Sequence, residues 1–163
     1  MNRDIIDELQ SDWNKQRPDL DPEPMGVVLR IQTLAKILAD QTAERLQRFD
    51  LQWWQYDVLS ALRRKGEPFI MAATELANSA MLTSGAMTNR IDRLEEDRLV
   101  RRVKDDNDLR RVLVQLTKEG LTLIEGATEA RFESAMDALE SLNKQQRESL
   151  SDLLRLVLTT QET

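Results

Sequence analysis

The hydrophobic period of this chain changes character between Ser84 and Leu116, and that change restricts the fold more than any other feature. From Ser84 to about Glu96, in SGAMTNRIDRLEE, the residues Met87, Ile91 and Leu94 fall at i, i+4, i+7 on one stripe, the mark of a helix with one buried face. The opposite face holds Gly85, Asn89 and Arg93, with Thr83, Ser84 and Thr88 crowding the first turns. Glu, Lys and Gln form helices better than Gly, Thr or Asn and are the expected choice for a face that meets only water. A face of small hydrogen-bonding residues suits a helix that something approaches closely. The period then becomes strand-like in LVRRVKDDNDLRRVLVQLT. Val100 and Val103 precede an acidic turn, and Val112, Val114 and Leu116 alternate after it, so a hairpin with Arg or Lys on both arms is expected.

The flanking segments read as helices. Ile5, Ile6, Leu9 and Trp13 recur at helical spacing in a first helix that should end near Arg17, because Pro18 disfavours helical geometry in the residue before it. RPDLDPEP reads as a stiff linker, and a long helix is expected from Met25 to about Phe49. Asp50 is placed to cap the next helix, whose inner face holds Trp54, Val58, Ala61 and Leu62, with Lys65 and Gly66 as its stop. PFIMA is apolar and short enough for a single strand, and ATELANSA makes about two turns of helix. Thr117 opens a helix to about Leu139, and Asn143 with Gln146 caps a last one carrying Leu150, Leu153, Leu154, Val157 and Leu158.

Composition removes several function classes. Among 163 residues there is no Cys and no His, which excludes disulfides, thiol chemistry, histidine-based catalysis and nearly every transition-metal site. The Asp105, Asp106, Asp108 run reads as a solvated hairpin tip, so neither metal nor cofactor is expected, and no catalytic constellation marks an enzyme. No apolar run approaches the ~20 residues that span a bilayer, and MNRDIIDELQ is unlike a signal peptide, so a cytoplasmic protein without membrane contact is expected. The net charge of −6 is unevenly spread. Met81 to Arg111 carries eight Lys and Arg against seven Asp and Glu, while the remainder carries 15 against 22, so the acidity lies outside the helix and hairpin.

A helix, a tight turn, a second helix with a small polar outer face and a basic hairpin together describe a winged helix-turn-helix. Such a helix can enter the major groove, where short side chains near its N-terminus let the backbone approach phosphates and Asn and Arg read base edges. The competing reading is a solvated polar face on a helical protein-protein interaction module without DNA binding.

The segment ATELANSAMLTSGAMTNRIDRLEEDRLVRRVKDDNDLRRVLVQLTKEG resembles the core of the MarR family of bacterial transcriptional regulators, with its TxxIDRLExxGLVxR, its DxR at the wing and its VxLTxxG exit into a long helix. The resemblance is strong from Trp53 to Gly120. It implies a homodimer paired through N- and C-terminal helices, a repressor, and release of DNA on binding small ligands, often anionic or phenolic. Two positions depart from the pattern. Arg98 stands where the family has Gly at the turn into the wing, and Leu109 replaces one Arg of the wing, which implies weaker DNA affinity. A narrower similarity joins WxxxRPDLD at Trp13 to Asp21, WWxYDVL at Trp53 to Leu59 and TNRIDRL at Thr88 to Leu94 to a branch with an additional N-terminal helix, some of whose members respond to urate. It implies a ligand site at Trp13, Arg17, Asp57 and Arg90. Helical geometry places Arg90 about 65° from the centre of the Met87, Ile91, Leu94 stripe, on the shoulder of the core, where a guanidinium calls for a carboxylate partner. A structural Arg90–Asp57 ion pair with Trp13 in a core is the alternative to a ligand site.

The expectation is therefore a mainly α protein: N-terminal helices over residues 1–49, a winged helix-turn-helix over 50–117 with a small β-hairpin wing, and C-terminal dimerisation helices over 118–163. The residues expected to meet double-stranded DNA are Thr83, Ser84, Gly85, Thr88, Asn89 and Arg93 on the helix, and Arg102, Arg110 and Arg111 on the wing.

Overall fold

The computed structural model describes residues 3–105, 108 and 111–161. The chain divides into two compact units, Met1–Thr42 and Ala43–Thr163. Among the described residues, no helix is long and apolar enough to cross a membrane.

In the first unit, α1 (Ile5–Gln16) begins at a reciprocal cap. The Asp4 carboxylate accepts from the backbone N–H groups of Ile6 (2.9 Å) and Asp7 (3.0 Å), and the Asp7 carboxylate accepts from the N–H of Asp4 (2.8 Å). These bonds satisfy donors that the first turn of a helix leaves without partners. The helix ends at Arg17, before Pro18, as the sequence predicts. Next comes α2 (Glu23–Gln47), which starts two residues earlier than the hydrophobic pattern indicates. Pro24 lies in its first turn, where no backbone N–H is needed, so this proline opens the helix rather than preceding it. Arg30 of α2 donates to Asp4 (2.9 and 3.0 Å) and Asp7 (2.8 Å), tying α1 to the first half of α2. The hydrogen-bonded guanidinium holds the Asp4 carboxyl below its ordinary pKa.

The second unit contains the last turn of α2 followed by α3 (Trp53–Arg64), β1 (Ile70–Ala72), α4 (Ala73–Ser79), α5 (Ser84–Glu96), β2 (Val100–Lys104), β3 (Val112–Leu116), α6 (Lys118–Ala138) and α7 (Lys144–Gln161). The expected hairpin is present and has a third member. β1 pairs antiparallel with β3, Ile70 opposite Gln115 and Ala72 opposite Leu113, giving the order β1-β3-β2. Leu46, Val58, Leu59, Leu62, Leu76, Met87, Ile91, Leu94, Val100, Val114 and Ile124 form one buried cluster drawn from α2 through α6. Ion pairs brace α6 from outside: Arg63 to Glu125 at 2.5 Å, and Arg45 to Asp137 at 2.7 Å and Glu133 at 4.0 Å.

The caps are mostly those the sequence predicts. The Thr117 hydroxyl accepts from the N–H of Gly120 (2.9 Å), and Asn143 and Gln146 exchange side-chain and backbone bonds at the start of α7 (2.9 and 3.0 Å). Asp50 is a correction. It adopts φ 53° in the turn, and Gln52 is the residue that precedes α3, its N–H bonded to the Gln55 side chain at 2.9 Å. Asp tolerates the left-handed region better than most residues, so the turn takes Asp50 and leaves the cap to Gln52.

Two junctions fix the wing to the helices. A Cβ at Gly120 would lie 2.0 Å from the Leu99 carbonyl oxygen, so only glycine lets the first turn of α6 cross the turn between α5 and β2. In that turn, Arg98 sits at φ 60° with its carbonyl accepting from the Thr117 hydroxyl at 2.8 Å. The left-handed conformation that the family pattern assigns to Gly is thus retained with a side chain that opposes it, at a cost of roughly 1–2 kcal/mol. Arg98→Gly is expected to stabilise the protein by about 0.5–1 kcal/mol after the extra unfolded-chain entropy of glycine is subtracted, raising the melting temperature by roughly 1–4 °C. A thermal unfolding scan showing a lower melting temperature would contradict this account of the turn.

Candidate nucleic-acid interface

The candidate interface is the outer face of α5 with the adjoining wing. Met87, Ile91 and Leu94 are buried to within about 1% exposure, so the helix has one rotational setting and presents its opposite face outward. α5 packs against α4 on one side and β2 on the other. Thr83 is its N-cap, the side-chain oxygen accepting from the N–H of Ala86 at 3.3 Å, which leaves the hydroxyl hydrogen free. Ser84, Gly85, Thr88, Asn89 and Arg93 are all exposed.

These exposed groups differ in what they have left to offer. The side chains of Ser84, Asn89 and Arg93 make no hydrogen bond or ion pair within the described residues, so their donors and acceptors face solvent. Thr88 is already engaged, donating to the Ser84 carbonyl at 2.9 Å. Gly85 is the most informative. A Cβ added there would meet nothing within 4 Å, and the residue lies in the first turn of α5. Internal packing therefore gives no reason for glycine, and alanine is the better helix former. Gly120 shows the opposite case, a glycine demanded by the fold.

The wing arginines are held by carboxylates. Arg102 faces Val114 across the sheet and shares the inward face of Val100, so its guanidinium points at α5. Nη2 reaches Asp92 at 2.5 Å, Nη1 pairs with Glu95, and the backbone N–H of Arg102 donates to Glu95 at 3.0 Å. The hydrogen bond to Asp92 leads the causes that raise its pKa above the ordinary arginine value. Arg111 pairs with Glu75 of α4 at 2.9 Å and lies 3.7 Å from Asp105, while Glu75 also reaches Lys65 at 3.6 Å. Arg110 and Leu109 lie outside the described residues. Alternation along β2 shows which arginine faces away from α5. Arg101, opposite Gln115 and bonded to it at 2.7 Å, has that outer position.

The residues associated with a ligand fall in both units. Trp13 and Arg17 are exposed at the end of α1, and Arg17 makes a two-pronged pair with Asp19 (2.8 and 2.7 Å). In the second unit, the Arg90 guanidinium lies 5.5 Å from the centroid of the Trp54 ring and makes no ion pair with Asp57. The expected carboxylate partner is thus replaced by an indole face, whose negative π surface attracts the cation, and Arg90 is half-buried there. The side chain of Asp57 has no hydrogen-bond or ion-pair partner within the described residues. Sequence spacing places Arg90 on the shoulder of the helix but carries no signal for Trp54 beneath it.

The MarR family model matches residues 49–111, from the turn before α3 into the wing. Over 150 residues the chain is 33% identical to the HTH-type transcriptional regulator PecS of Dickeya dadantii (strain 3937), a match covering 91% of this chain and 90% of that protein. This chain belongs to the MarR family. Solved structures of the family share its fold. Sco3205 of Streptomyces coelicolor in complex with DNA superposes with a TM-score of 0.74 at 26% identity, covering 85% of this chain and 88% of that one. A mutant MarR from E. coli complexed with operator DNA gives a TM-score of 0.70 at 24% identity, covering 90% and 97% of the two chains. The protein is accordingly a helix-turn-helix transcriptional regulator of the MarR family and not an enzyme.

Proposed function

We propose that this regulator binds a pseudo-palindromic duplex site as a homodimer, represses transcription there, and is released by a small planar anion. The observation that carries the DNA contact is Gly85, a glycine in the exposed first turn of α5 with open space where its side chain would be. With free groups on Ser84, Asn89 and Arg93 beside it, the missing side chain admits an external backbone to van der Waals distance. In the major groove, Asn89 and Arg93 read base edges, and Thr83 and Ser84 hold phosphates with Arg110 of the wing; Thr88 and Arg111 join them by exchanging the Ser84 carbonyl and Glu75 for phosphate. Gly85→Ala is expected to leave the fold at least as stable, gaining less than the ~1 kcal/mol that the same change gives in a helix interior, and to weaken DNA binding. Asn89→Ala should cost about 1–3 kcal/mol of binding and flatten discrimination at one base pair. A gel shift in which Gly85→Ala binds selected DNA as tightly as the parent protein would remove the close-approach argument.

The homodimer reading rests on apolar stripes that the folded chain leaves in water. None of the described residues of α7 is buried, and Leu153 and Val157 are 63% and 48% exposed; in α1, Ile5 is 63% exposed. Paired through these helices, two recognition helices would enter successive major grooves about 34 Å apart. Leu154→Glu, a charge on the α7 stripe, should shift the sedimentation profile from dimer towards monomer. An unaltered profile would refute that interface.

The ligand reading rests on Arg90 and Asp57. With no ion pair between them, the Arg90 guanidinium, stacked on Trp54, keeps its charge available on α5 itself. A planar anion drawn to Arg90 has only to bind one spacing of the paired recognition helices better than another by ~1.4 kcal/mol to change DNA affinity tenfold. Urate is the probe, in line with the similarity to the urate-responsive branch. It should weaken DNA binding and quench tryptophan fluorescence, and Arg90→Ala should abolish both effects while retaining DNA affinity without ligand. Trp13→Ala, in the other unit, tests whether the similarity extends to α1. No change in affinity or fluorescence up to the solubility limit would end the ligand reading and leave the DNA reading intact.

A further inference from the structure

Asp92 poses a difficulty for any account in which α5 meets DNA. It lies seven residues after Gly85, so on a helix of 100° per residue the two differ by only about 20° in direction. The same outward face carries Asn89 three residues before Asp92 and Arg93 one residue after it. A carboxylate there faces the phosphates, and like charges brought together out of water are costly. Glu95, one turn further on, adds a second negative charge.

We propose that Arg102 serves as the electrostatic shield of the recognition helix, neutralising Asp92 and Glu95 so that the duplex can approach, and is not itself a DNA contact. The proposal rests on the reading that the outer face of α5 meets DNA. Three observations carry it. The pleat of β2 turns Arg102 inward, on the face of Val100 and opposite Val114, whereas Arg101 faces out. Its guanidinium bridges both carboxylates, at 2.5 Å to Asp92 and in a second pair with Glu95, and its own N–H adds a third bond at 3.0 Å. Its side chain is only 34% exposed, less than either carboxylate it holds. To reach a phosphate it would have to release both partners and leave two bare carboxylates behind. Arginine suits this task because its planar fork can hold two carboxylates at once and stays charged at any physiological pH.

A double-mutant cycle on the full-length protein decides the matter, read as affinity for a duplex selected from random-sequence DNA. Arg102→Gln alone should weaken binding at least tenfold at low salt, since Asp92 is then unmasked. Asp92→Asn alone should change it less than threefold, whereas Asp92→Asn added to Arg102→Gln should restore most of the loss. That non-additivity is the signature of a shield. If Arg102 contacts phosphate, Asp92→Asn will have the same effect in both backgrounds, and the slope of log affinity against log salt will fall by about one for every variant lacking Arg102. If Arg102 only braces the wing, Asp92→Asn will not rescue Arg102→Gln. Either result overturns the proposal. Should Arg102→Gln not fold, Arg102→Lys retains the charge without the fork; its affinity should then lie below the parent and rise again with Asp92→Asn, and failure to rise overturns the proposal equally. Asn89→Ala separates the two levels of the argument. Loss of binding there without rescue by Asp92→Asn removes the shield alone, while unchanged binding removes the α5 reading and the shield with it.

Discussion

The seating of α5 is the constraint on which the rest of the structure depends. Met87, Ile91 and Leu94 are fully buried in a cluster with Val58, Leu62, Leu76, Val100 and Val114. Each such side chain contributes about 1.5–3 kcal/mol on burial, so turning the helix would forfeit most of that for all three at once. The core therefore sets the orientation of a face it does not touch. Gly85, Asn89 and Arg93 point outward because the residues between them point inward.

The wing is tied to the same helix by two different devices. At its root, Gly120 passes the Leu99 carbonyl at a distance no side chain would permit, and the Thr117 hydroxyl caps α6 while bonding back to the Arg98 carbonyl. Further along, Arg102 clasps Asp92 and Glu95 from β2. The first device is steric and insensitive to salt. The second is electrostatic and partly exposed, so it weakens as ionic strength rises. Helix and wing thus form one rigid presentation of charge, with α4 joined to it through Glu75 and Arg111.

Much of this was legible in the sequence where a single local rule governs. The bounds of α5, the Thr117 cap and the Asn143–Gln146 exchange follow from periodicity and capping chemistry, each decided within four residues. What escaped depends on partners distant along the chain. PFIMA reads as a strand, but its pairing does not: β1 joins the sheet because β3 offers an edge more than 40 residues later. Arg90 finds its partner in Trp54 rather than in a carboxylate, which no spacing reveals. Arg102 was readable in principle. The alternation that marks Val100 as buried also assigns Arg102 to the inner face.

The central claim is that the outer face of α5 reads duplex DNA in a two-fold arrangement. Selection from random-sequence duplexes with purified protein, followed by hydroxyl-radical footprinting of the enriched site, tests it most directly. The account predicts enrichment of an inverted repeat, with two protected patches on one side of the duplex about one helical turn, ~34 Å, apart, and loss of the sequence preference in Asn89→Ala. Absence of any enriched sequence, or an enriched site whose preference Asn89→Ala leaves unchanged, would contradict it.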